Sequence, residues 1–226
     1  MLVRDIMTSN VITVSSDTLM IEAGKTMDFH RIERLPVVDK GKLVGILTKS
    51  ILEKSAPSGA TSLTRWELNY LLGKMKVKEI MRTDVTTVDA DATVECAIAT
   101  AQGKRVGSLP VMQGNRLVGI VTTNDFFYKI LNPLMGIGES GKRIIVYGAG
   151  DVEQIRKVTE CLSKVGVGIK SLCTVAPGEG HICTLAPGES HKNDLLLHLN
   201  TEDTSKVIAE LKKVGLSADH REHQPC

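Results

Sequence analysis

Aromatic side chains are scarce: three Phe, three Tyr and one Trp in 226 residues. The cores must therefore be aliphatic, and a row of stacking platforms for single-stranded bases is excluded. Net charge is scarce too. Twenty-eight Lys and Arg stand against 26 Asp and Glu, +2 overall, with both signs dispersed. That removes the basic footprint by which duplex nucleic acid is held. No stretch approaches the roughly 18 consecutive apolar residues of a membrane span. The opening MLVRDIMTSN carries charge where a signal peptide would be apolar. The five cysteines (Cys96, Cys161, Cys173, Cys183 and Cys226) show no C-x-x-C spacing and are odd in number. Reduced thiols in a cytoplasmic chain are expected, not a secreted disulfide framework. Also missing are a Ser-His-Asp arrangement, paired carboxylates at helical spacing and a complete nucleotide-hydrolysing motif, so no catalytic residue is assigned and a non-enzyme is expected.

What the chain does have is a repeat. Residues 3–54 and 77–128 align without a gap at an offset of 74, with eighteen of 52 positions identical. Val3-Arg-Asp-Ile-Met7 matches Val77-Lys-Glu-Ile-Met81, Leu35-Pro-Val37 matches Leu109-Pro-Val111, and Leu43-Val-Gly-Ile46 with Thr48 matches Leu117-Val-Gly-Ile120 with Thr122. Agreement over a whole supersecondary unit means duplication. Each copy predicts a short strand (Val11–Val14, Val85–Val88), a helix with Met20, Ala23 and Met27 or Val94, Ala97 and Ala101 on one face, a β-hairpin, and a closing helix after Thr48 or Thr122. Between the copies, Leu68, Leu71, Leu72 and Met75 mark a helix stripe after a capping box at Thr64–Glu67, with Trp66 packing at its start.

The recurring D/E-I-M opening, S/R-L-P-V strand and G-I-V/L-T turn, in that order in both copies, resemble the CBS domain. The resemblance implies an α+β fold, a pseudo-twofold pair of β-α-β-β-α repeats that binds an adenosyl ligand between its halves and dimerises. The expected division is a first CBS domain at 1–56, a linker helix at 57–76, a second CBS domain at 77–132, a link at 133–142 and a third domain at 143–226.

In Gly119-Ile-Val-Thr-Thr-Asn-Asp125 a strand turns into a helix. Thr122 sits where free amides and the helix dipole favour phosphate, and Asp125 can accept both ribose hydroxyls. Capping by Thr122 and first-turn placement of Asp125 explain the same residues and are compatible with a ligand role. The resemblance carries the G-h-h-T-x-x-D ligand role to Thr122 and Asp125. The adenine is expected against Thr86, Thr87, Val106, Ser108, Leu109 and Pro110, with Arg34 as a phosphate contact. The first copy has Ile51 where Asp125 stands, so a site at Thr48 and Ile12 is expected to be weak. The implied ligand is AMP, ADP, ATP or S-adenosylmethionine, the implied partners are a second copy of the chain and an unidentified regulated protein, and neither nucleic acid nor membrane is expected. A CBS pair that dimerises without ligand is the alternative.

Residues 143–222 read strand, helix, strand, strand, helix, strand, the ferredoxin-like order. After a CBS pair this resembles an ACT domain, an arrangement similar to the accessory proteins linked to acetoin utilisation. Gly148, Gly150 and Asp151 are the contacts expected for an ACT ligand, with turn and capping roles as the plain reading. Two motifs mislead. Gly136-Ile-Gly-Glu-Ser-Gly-Lys142 resembles a P-loop, but Arg143 replaces the magnesium-binding hydroxyl and the turn enters a strand where a P-loop leaves one. Gly148-Ala-Gly150 lacks the third glycine of a dinucleotide fingerprint. Cys173–His181 is nearly repeated as Cys183–His191, but its spacing fits no zinc pattern, and no metal is assigned.

Overall fold

The computed structural model describes residues 1–55, 73–176 and 193–221. The expected linker helix with Trp66, most of the Cys/His/Glu loop repeat, and His223 and Cys226 lie outside the described residues. The chain divides into two compact units, Met1–Phe126 and Phe127–Cys226.

The first unit is α+β and holds both repeats. In copy 1, α1 (Val3–Ile6) leads to α2 (Met20–His30), then β1 (Arg34–Asp39), β2 (Lys42–Thr48) and α3 (Lys49–Ser55). In copy 2, α4 (Val77–Ile80) precedes β3 (Val88–Asp89), α5 (Val94–Lys104), β4 (Ser108–Gln113), β5 (Arg116–Thr122) and α6 (Thr123–Phe126). The predicted helix faces are the buried ones: Met20, Ala23 and Met27 on α2, and Val94, Ala97 and Ala101 on α5. They cover hairpins whose inward residues, Leu35, Val37, Leu109 and Val111, are wholly buried. Lys40 and Gly41 both take positive φ, which twists a two-residue turn to match its strands.

The short strands before the helices come out differently from expectation. Val11–Val14 gives a single parallel bridge, Val14 to Val37, and Val85–Val88 shrinks to the two-residue β3. The reason is that each copy's opening belongs to the other copy. Val3 and Arg4 donate to the carbonyls of Ala92 and Ala90, and Thr8 exchanges two hydrogen bonds with Ile120. In mirror fashion Val77 and Lys78 donate to Thr18 and Ser16, and Arg82 exchanges two with Ile46. Only at Val14 and Val88 does the chain rejoin its own hairpin. Residues 9–13 and 83–87 are therefore crossing segments, whose two flanks pair with different copies. The crossing explains the shared motifs. A Cβ on Gly45 would lie 2.5 Å from the Met81 sulfur, and one on Gly119 would strike Met7, so each opening Met packs on the other copy's glycine.

The second unit begins with a π-helical turn, Phe127–Leu131, and α7 (Asn132–Met135). It continues as β6 (Lys142–Val146), α8 (Val152–Val165), β7 (Ile169–Val175), β8 (Asp194–Leu199), α9 (Ser205–Lys213) and β9 (Ala218–His220). The sheet order is β7-β8-β6-β9, every pair antiparallel. One sheet face buries Ile144, Val146, Leu195, Leu197 and Leu199 against Val158, Leu162, Val207 and Leu211 of the helices. Residues 134–140 lie on the other face: Ser171 Oγ donates to the Leu134 carbonyl at 2.5 Å, and His198 Nε2 meets the Ser140 carbonyl at 2.9 Å.

Candidate ligand-binding site

A cleft of about 320 Å³ opens between the copies where segment 83–87 crosses from β2 to β4. Copy 1 contributes Arg34, Ile46, Thr48 and Ile51; the crossing segment contributes Asp84, Val85 and Thr86; copy 2 contributes Val106, Ser108 and Pro110. Arg34 and Thr48 are register partners across β1 and β2, which puts both side chains on one face. The Arg34 guanidinium lies against Gly107, where a methyl group would approach Nη2 to 2.7 Å. Four cations, Arg34, Lys49, Arg82 and Arg105, face two carboxylates, Glu33 and Asp84. Lys49 is held by Asp28 at 3.2 Å, which raises its ordinary pKa, and Arg34 lies 3.7 Å from Glu33. Among the described residues neither Arg82 nor Arg105 forms an ion pair. Arg105 is also strained: it caps α5 with φ 53, a left-handed conformation that costs a non-glycine residue roughly 1–2 kcal/mol.

This arrangement distributes the expected residues over two edges. Thr86, Val106, Ser108 and Pro110 join Arg34, Thr48 and Ile51; they do not share a cleft lining with Thr122 and Asp125. The crossing is the cause, since Arg82 pairs with copy 1 and delivers Thr86 to the Thr48 edge. Thr8 pairs with Ile120, while Ile12, expected beside Thr48, packs against the copy 1 core. Two more residues fall outside the cleft lining. Thr87 lines a neighbouring pocket with Val88 and Met112, and Leu109, alternating in β4 with Ser108 and Pro110, is a fully buried core residue. At the Thr122 edge, Asp125 Oδ2 accepts from Thr122 N at 2.8 Å and from Thr122 Oγ1 at 2.7 Å. At the Thr48 edge, Thr48 Oγ1 accepts from Ile51 N at 3.3 Å, and the Ile51 side chain joins the copy 1 core.

Sequence reasoning missed Arg82, Arg105, Lys49 and Asp84. The available signal was that Arg31 and Arg105 are identical at the repeat offset, a charge retained where a helix end ordinarily takes glycine. In the second unit Gly148, Gly150 and Asp151 do meet, in the turn before α8, and all three have structural work there. Gly148 N donates to Asp194 Oδ1 at 2.8 Å, Gly150 N to the Asn193 carbonyl at 2.7 Å, and Asp151 caps α8 by accepting from Gln154 N at 2.8 Å. Among the described residues no three His, Cys, Asp or Glu side chains converge on a metal position, and no helix is long and apolar enough to cross a membrane.

The CBS domain family profile matches residues 3–54 and 77–132, the two copies described above. The CBS domain-containing protein YhcV of Bacillus subtilis is 31% identical over 124 residues, 54% of this chain and 81% of YhcV. The chain belongs to the CBS-domain family. Inosine-5'-monophosphate dehydrogenase of Methanocaldococcus jannaschii is 30% identical over 164 residues, but this chain spans only 29% of that enzyme's length. Among solved structures, that of a candidate acetoin utilization protein (AcuB) from Vibrio cholerae is 29% identical, with a TM-score of 0.50, over 58% of this chain and 91% of that one. The first unit is thus a tandem CBS pair, in which one cleft is cationic and the opposite edge carries the Thr122–Asp125 carboxylate.

Proposed function

We propose that this protein is a cytoplasmic, non-catalytic regulator whose CBS pair senses an adenine nucleotide or S-adenosylmethionine. The observation that carries the reading is the cleft between the copies, where an aliphatic wall of Val106 and Pro110 faces Arg34, Arg82 and Arg105. A flat heterocycle fits such a wall, and a phosphate fits such a cluster. The other edge offers a second seat, where Asp125 is the T-x-x-D carboxylate that can accept ribose hydroxyls; the cleft has Ile51 at that position. Calorimetry with AMP, ADP, ATP, NAD and S-adenosylmethionine tests the reading. An adenosyl compound should bind with micromolar affinity, and Arg105→Gln should weaken ATP more than S-adenosylmethionine. No heat with any of the five ligands would leave the second reading, a CBS pair that serves only as a dimerising scaffold, favoured by the loss of the carboxylate at Ile51.

The second unit is proposed as an ACT-like effector. Its β-α-β-β-α-β order and its sheet order support a ferredoxin-like fold. Homodimerisation through the CBS pairs is part of the same proposal, supported by exposed apolar residues such as Phe29, 83% accessible at the end of α2. Light scattering at micromolar concentration should give the dimer mass, and a monomer with and without nucleotide would remove this element.

A further inference from the structure

The second unit has its own concentration of positive charge. A cavity of about 350 Å³ is lined by the glycine-rich turn 136–141 and by Lys142, Arg143, His220 and Arg221, with Glu139 on its wall. Arg221 N donates to the Arg143 carbonyl at 3.0 Å, one step beyond the Ile144–His220 pair of β6 and β9. The two arginines are therefore direct cross-strand neighbours, and like charges so placed destabilise a sheet. Among the described residues neither has a carboxylate partner; Arg143 Nη1 is bonded only to the Met135 carbonyl, at 3.1 Å. Glu139 lies 3.7 Å from Lys170, outside the arginine pair. Two of the glycines are explained by packing: a Cβ at Gly136 would come within 2.6 Å of the His198 ring, and one at Gly141 would strike the Leu199 backbone. Gly138 has open space around it and φ +77, so it serves the turn alone. The amides of Gly136, Ile137 and Glu139 donate to carbonyls of the chain and that of Gly141 to Glu202 Oε1 at 3.1 Å, so the cationic side chains and not the turn's backbone carry the attraction for an anion.

We propose that this cavity binds the phosphate group of a small phosphorylated molecule, seated between the turn and the Arg143–Arg221 pair. An anion there removes the cross-strand repulsion and uses Lys142 as a further donor. The G-x-G-x-S-G-K run is thus a wall of the site without hydrolytic chemistry, because Arg143 stands where a magnesium-holding hydroxyl would be needed. The site is independent of the CBS clefts.

The test uses the full chain carrying Arg82→Gln and Arg105→Gln, which disarm the first unit's cleft, with inorganic pyrophosphate as the calorimetric probe. Pyrophosphate binding should persist in that background and fall at least tenfold when Arg221→Gln is added. Because Arg143 also holds the Met135 carbonyl, Arg143→Gln is read beside Arg221→Gln, with circular dichroism confirming that both variants fold. Absence of pyrophosphate binding in the Arg82/Arg105 background would overturn the proposal, as would affinity unchanged by both Arg143→Gln and Arg221→Gln.

Discussion

The two CBS copies share a backbone and differ in chemistry. Both hairpins carry the same register shift, after Val37 and after Val111, and both opening methionines pack on a glycine of the other copy. Yet the turn into the closing helix ends in Ile51 in one and Asp125 in the other, and Arg34 in one faces Ser108 in the other. Duplication supplied a symmetric frame. Function resides in the positions where that symmetry is broken, and those positions lie around the crossing segments.

The largest expected effect tests the shared frame. Gly45→Ala should destabilise the protein by about 1–3 kcal/mol through overpacking. Gly119→Ala should cost less, because the atoms near Gly119 belong to the Met7 side chain, whereas the Arg82 carbonyl lies 3.1 Å from a Cβ at Gly45. Urea unfolding of both variants measures the difference, and equal midpoints would show that the backbone carbonyl yields as easily as a thioether.

Next comes the broken position itself. Asp125→Ala should weaken the adenosyl ligand at least tenfold, about 1.4 kcal/mol. The reciprocal change, Ile51→Asp, should tighten nucleotide binding in the cationic cleft by giving it a ribose acceptor, with some loss of stability because Ile51 packs on the copy 1 core. Unchanged affinity in Ile51→Asp would mean that the carboxylate is not what distinguishes the edges. A smaller effect is expected at Gly107→Ala. The added methyl displaces only the flexible end of Arg34, so the melting temperature should hold while ATP affinity falls a few-fold.

The smallest effect concerns pH. Lys78 and Lys76 beside Asp17 hold its carboxyl below its ordinary value, and hydrogen bonds from Ser16 and Ser15 do the same for Asp39. A lowered folded-state pKa gives stability that is present above the unfolded value and is lost as pH falls through the folded one. Stability from these groups should be level from neutrality down to about pH 5 and decline below about pH 4. Asp17→Asn should shrink that acid-side decline in urea titrations at pH 3 and pH 5. An unaltered decline would assign it to other carboxylates.

The helices and hairpins were legible because each is a local pattern stated twice. Met20, Ala23 and Met27 announce one buried face, and Lys40-Gly41-Lys42 announces a hairpin, whose turn closes on Lys40 and Gly41 because Lys42 pairs with Asp39. The crossing was not legible. Both openings have nearly the same sequence, so pairing within a copy and pairing between copies satisfy the same pattern, and only packing in three dimensions chooses. That ambiguity separated Thr86 from Asp125. The misplacement of Leu109 has a different origin: period-two alternation with Ser108 and Pro110 already put it on the opposite face.

The crossed openings also govern how the first unit folds. Neither copy can finish its hairpin edge until the other has formed the strand that receives it, and each crossing is tied by an ion pair, Asp17 with Lys78 and Asp91 with Arg4. The two repeats should therefore melt in a single cooperative transition, despite their being copies of one another. A fragment ending before residue 75 would keep an unfilled edge at Ile46 and an unplaced opening strand at Thr8. Two such fragments would fill each other's vacancies by exchanging openings, so that what the intact chain does within itself becomes, in the halved chain, a route to dimerisation.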